Sequence, residues 1–130
     1  MAAFSNASKQ TMLDQLVTTD GPFYVALFVG DPAGAGVEEN GPGVGGTAYA
    51  RKAITFGAAS GGNKANSAAV VFDNGGATDW DAGITHWALY DALTLGNLVA
   101  SGALGGTRDM SIANATLTFN IGDIDLNLND

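Results

Sequence analysis

Beyond Pro22 the chain never sustains a helical spacing of apolar residues. Short stretches of alternating apolar and small or polar residues are instead cut off repeatedly by glycine, often in pairs: Gly45-Gly46, Gly61-Gly62, Gly75-Gly76 and Gly105-Gly106. A period of two sends successive side chains to opposite faces of a strand, and glycine readily adopts the turn conformations that other residues resist. With 19 glycines in 130 residues, this pattern directs the chain into short strands joined by tight turns. The stretch "FYVALFVG" (23–30) is apolar on both faces and reads as a strand buried on both sides. Further strands are expected in "TAYARKAITFG" (47–57), "NSAAVVFD" (66–73), "ITHWALYDA" (84–92), "NLVASGAL" (97–104), "ATLTFNIG" (115–122) and "DIDLNLN" (123–129). Roughly seven or eight such strands predict an all-β fold, an antiparallel β-sandwich or jelly roll. No fixed-period repeat or linker divides the chain, so one domain over 1–130 is expected, with the sandwich in 23–129.

The exception precedes Pro22. Residues 5–19, "SNASKQTMLDQLVTT", predict one N-terminal helix. Ser5 or Asn6 supplies a cap, and Met12, Leu13, Leu16 and Val17 recur at helical spacing. The "TDGP" that follows ends it, because proline cannot continue a helix. By contrast "DPAGAGVEENGPGVGG" (31–46) reads as a long surface loop carrying Glu38 and Glu39.

Charge narrows the function classes. The net charge is −8, with 5 Lys and Arg against 13 Asp and Glu. Nucleic acid is therefore not an expected partner, since phosphate binding depends on clustered cations. An anionic membrane surface is disfavoured for the same reason, and no apolar run reaches the ~20 residues of a membrane helix. There is no cysteine, which removes disulfides, thiol nucleophiles and thiolate metal sites. His86, the single histidine, sits in a strand without a G-x-S-x-G turn or an H-E-x-x-H helix anywhere in the chain, and reads as structural. Neither catalytic residues, nor a cofactor, nor a dedicated metal site is expected. The loop acids Asp73, Asp79 and Asp81 offer at most an adventitious calcium contact. The row Asp123, Asp125, Asn127 and Asn129 lacks the central glycine and terminal glutamate of a calcium loop and reads as the polar face of a strand.

Two features could mediate recognition. Trp80, between Asp79 and Asp81 in a loop, is a candidate ligand or partner contact, with a host glycan as one possible ligand. Trp87 alternates with Thr85 and Leu89 and reads as core. The second feature is the adjacent pair Arg51-Lys52, in a chain so poor in cations. Strand alternation puts Tyr49 and Arg51 on one face, with Ala48, Ala50, Lys52, Ile54 and Phe56 on the other. Arg51 is expected to pair with a carboxylate, since its planar fork binds one through two hydrogen bonds. That carboxylate is either Glu38 or Glu39, pinning the preceding loop to the sheet, or one from a neighbouring subunit.

Taken in order, "SNASKQTMLDQL", "YVALFVGDP", the acid-bearing Gly-rich loop, "GGTAYARKAITFGAASGG", "NSAAVVF", "TDWDAGITHWALYDA", "GNLVASGAL" and the closing alternating strand resemble a family of small bacteriophage virion proteins labelled phage tail fibre proteins. The resemblance covers nearly the whole chain. It implies a β-sandwich structural component of the virion, without known catalysis, in which "AYAR" is a family feature. Within that class two virion roles are expected: a surface-exposed tail-fibre or tail-associated subunit, as the family label implies, or, from the compact chain itself, a decoration (cement) protein contacting the major capsid protein. Neither repeats nor heptads suggest a fibre shaft. In both roles a homo-oligomer, a homotrimer foremost, is expected. A carbohydrate-binding module is a third reading.

Overall fold

The computed structural model describes residues 3–39 and 46–128. One helix and nine strands follow in chain order: α1 (Asn6–Asp20), β1 (Phe23–Val29), β2 (Val37–Glu38), β3 (Lys52–Ile54), β4 (Asn63–Ala65), β5 (Val70–Asp73), β6 (Ile84–Tyr90), β7 (Leu98–Arg108), β8 (Thr116–Phe119) and β9 (Asp125–Asn127). Every strand pairing is antiparallel. The all-β class read from the alternation is the class observed, with one helix at the N-terminus.

The helix starts where Ser5 accepts the Ser8 N–H, and ends where the Gly21 N–H bonds to the Val17 carbonyl. Only Leu13 of its apolar residues is fully buried; Met12 faces outward. Lys64 of β4, itself buried, reaches Asp14 at 2.5 Å and ties the helix to the strands beneath it.

The largest sheet has the order β2-β1-β6-β7, with β3 also pairing with β1. Its core face carries Phe23, Val25, Leu27 and Leu89, which pack against Val70 and Phe72 of β5, Leu117 and Phe119 of β8, and Leu126 of β9. The β5–β8 and β4–β9 pairs thus form the second layer over one face of the main sheet. On its other face Ala26, Phe28, Ala88 and Tyr90 make a smaller cluster, so β1 is buried on both sides.

Several local expectations need correction. The 31–46 region is not wholly a surface loop: Val37–Glu38 is a strand and Glu39 is fully buried. Residues 47–51 are not strand, because Ala48 adopts a φ of +64° and turns the chain there. The strict alternation drawn from Ala48 to Phe56 therefore fails: the Tyr49 ring enters the main core, while Arg51 lies against Tyr90 on the opposite face. Strand β4 was not expected, because "NKA" offers no apolar alternation. The polar row expected near the C-terminus is seen where it is described, with Asp125 and Asn127 exposed around buried Leu126, while Asn129 lies outside the described residues. Among the described residues no helix is long and apolar enough to cross a membrane.

Candidate functional site

Among the described residues, strands pair with the outer edge of β1 at two places. β2 pairs with Phe28 and Val29, and β3 pairs with Phe23 to Val25. Leu27 lies between them with its backbone groups turned outward. A buried unpaired N–H or C=O is costly, and both groups are supplied by the chain that crosses this gap. The Leu27 carbonyl accepts the Glu39 N–H at 3.0 Å. Its N–H donates to the Tyr49 hydroxyl at 3.0 Å.

Tyr49 in turn donates to Glu38 Oε2 at 2.9 Å. Burial, and then the negative charge of Glu38, push the phenol well above its ordinary value, so the hydroxyl keeps the proton that this bond needs. The same carboxylate takes Arg51 in the two-pronged geometry: Nε to Oε2 at 3.0 Å and Nη2 to Oε1 at 2.8 Å. Arg51 Nη1 donates to the carbonyls of Ala92 and Leu95, at 2.8 and 2.7 Å. The guanidinium carbon lies 3.9 Å from the centre of the Tyr90 ring, which stacks on Phe28. Burial works against the arginine charge, but the hydrogen bonds and charge of Glu38 outweigh it and hold Arg51 more firmly charged. One arginine thus joins β2, the 47–51 turn and the 91–97 turn. A cleft of about 490 Å³ opens above this joint between Ala50, Leu93, Thr94 and Leu95.

Glu38 and Glu39 are adjacent but do different things. Glu39 is not a partner of Arg51. It points into the chain, 0% exposed, where Oε1 accepts the Asp81 N–H at 2.9 Å and Oε2 has no hydrogen-bond partner among the described residues. Burial raises its pKa to about 7; the Asp81 N–H bond works the other way, and the charges of Asp81 and Asp79 add to the rise.

Trp80 is buried, at 3% exposure, with its indole N–H on the Thr47 carbonyl and its ring edge-on to Tyr49. Its face is therefore not free to stack on a sugar, and Trp80 serves to anchor the loop. Asp79 accepts the backbone N–H and the hydroxyl of Thr47, which holds its carboxyl below the usual range. Asp73 and Asp81 each close a local turn, onto Gly75 and Gly83. No group of three acids or histidines is placed to hold a metal ion among the described residues. His86 contacts the Thr85 hydroxyl through Nδ1 at 2.9 Å. Trp87 is half-buried, lying so close over Gly102 that a Cβ there would stand 2.7 Å from the indole nitrogen.

Two buried amides carry no distinguishing signal in the sequence. Asn66 accepts from Gly122 and Ile124 and donates to Ala68 and Asn120. Asn74 donates to Met110 and Ile112 and accepts from Gly76. Each follows or precedes a strand end beside glycine or serine, which in a sequence is indistinguishable from an ordinary turn asparagine.

A family model described as "Podophage GP4 fiber I protein gp80" matches residues 3–127. No curated protein matches the chain.

Proposed function

The chain belongs to the podophage fibre I protein (gp80) family, and from that premise we propose that it is a non-enzymatic structural subunit exposed on the phage tail, assembled with further copies of itself and attached through other virion proteins. The observation that carries this reading is the family match, which spans all but a few residues at either end of the chain. The geometry agrees with a mechanical rather than a chemical role. Arg51, Glu38 and Tyr49 saturate one another and the backbone around them. Such a joint fixes two loops and the edge of a sheet in one arrangement, which suits a part whose surfaces must be presented rigidly to neighbours.

Particles produced without this protein test the proposal. Heads that fill and keep their heat stability, on tails that lack fibre density, are expected. Heads that lose stability while the tails stay complete would replace the tail role with a capsid-cementing one.

A further inference from the structure

β7 runs for 11 residues and, among the described residues, has a strand neighbour, β6, on one side only. The direction of its backbone groups follows from the ladder. Leu27 turns its N–H and C=O away from β6, toward Tyr49 and Glu39. Antiparallel pairs alternate between hydrogen-bonded and non-hydrogen-bonded. The partner of Leu27, Trp87, therefore turns its own groups toward β7, where it meets Gly102. Ser101 and Ala103, on either side of Gly102, consequently point their backbone groups outward. Neither finds a partner there among the described residues.

Open edges are ordinarily blunted by charge or proline. Here residues 92–107 carry neither, the longest uncharged run in a chain of net charge −8. Beside the start of the strand Leu93, Leu95 and Leu98 are exposed, Leu95 at 85%. Arg51 holds the turn that bears them through the carbonyls of Ala92 and Leu95. Register irregularities flank Ala100–Ala103, so the regular part of the edge is short and lies beside the leucines.

We propose that this edge and its leucine turn are where a second copy of the chain docks, with Ser101 and Ala103 pairing antiparallel to the same residues of the copy about a two-fold axis. An edge paired with itself is self-complementary under that rotation, and the contact closes after two strands. Charge favours a second copy meeting here, because two chains of −8 repel wherever acids face acids. The two Arg108 side chains fall at opposite ends of such a pair. A ring would need a second edge to match, and the opposite side of this sheet is made of the short strands β2 and β3, with the gap between them filled at Leu27. The inference rests on the self-assembly part of the proposed function, and it replaces the expected trimer with a pair.

The experiment combines solution mass by light scattering with amide hydrogen exchange at Ser101 and Ala103. The wild-type chain is expected at twice its single-chain mass, with both amides slowed at least about tenfold relative to exposed loop amides. Ala103→Pro removes one outward N–H without touching the β6 ladder, and Ser101→Lys adds charge to the edge. Both variants are expected at single-chain mass with unchanged circular dichroism. A wild-type chain of single mass overturns the self-assembly reading and this surface together. An oligomer in which both amides exchange freely, or a three-fold mass, keeps self-assembly and removes the β7 pairing.

Discussion

Arg51 and Glu38 are both largely withdrawn from solvent, so removing one strands the other. Arg51→Ala is expected to lower unfolding free energy by about 3 kcal/mol, read by urea denaturation. The paired change Arg51→Met with Glu38→Met should recover much of that loss, since neither charge is then left alone. Tyr49→Phe keeps the ring in the core but leaves the Leu27 N–H unpaired, for an expected loss of about 1–3 kcal/mol. Glu39 makes a prediction about pH. Its folded value of about 7 stands above the ordinary 4.5, so between those values the folded chain keeps a proton that the unfolded chain releases. Stability from this group is fully present below pH 4.5, falls as pH rises toward 7 and is lost beyond it, by on the order of 3 kcal/mol. The carboxylates of Asp14, Asp79, Asp91 and Asp109 are shifted downward and act below pH 3.8, outside this window. Glu39→Gln should flatten the slope between pH 5 and 8 in denaturation series. The sequence made the scarce Arg51 and the two nearby acids legible. Which acid it takes was not legible, because Glu38 and Glu39 are the same residue type side by side, and only the fold ends β2 at Glu38 and turns Glu39 into the core.

At the scale of elements, alternation found the strands that bury a face and missed those that do not. β1 and β6 were visible as apolar runs; β4 was not, because its inward residue is Lys64, held by Asp14 and the Gly57 carbonyl. Residues 47–51 alternate as a strand should, yet a positive φ at Ala48 breaks the periodicity, and nothing in an alanine announces that. The turn before β2 offers a test. A Cβ on Gly36 would stand 2.5 Å from the Asp31 carbonyl oxygen and 2.6 Å from that of Gly30, both backbone atoms that cannot swing aside. Gly36→Ala is expected to cost on the order of 2 kcal/mol and to disturb the strand that carries Glu38. Gly34→Ala, whose nearest contacts are at 3.8 Å, should be close to neutral in the same thermal melts.

For the molecule as a whole, the two-layered β architecture and the uncharged stretch 92–107 belong together. The second layer covers one face of the main sheet, the β1 edge is closed by Tyr49 and Glu39, and among the described residues β7 is left as the long edge of that sheet. The fold class and the phage family were legible in the order of segments along the chain. The open edge was not, since strand order is decided by pairings between residues far apart in sequence, such as Leu27 with Trp87. A structural part of the phage tail must be found on the tail, and gold-labelled antibody on intact virions tests that most directly. Label confined to the tail is the predicted result. Label spread over the head would contradict it.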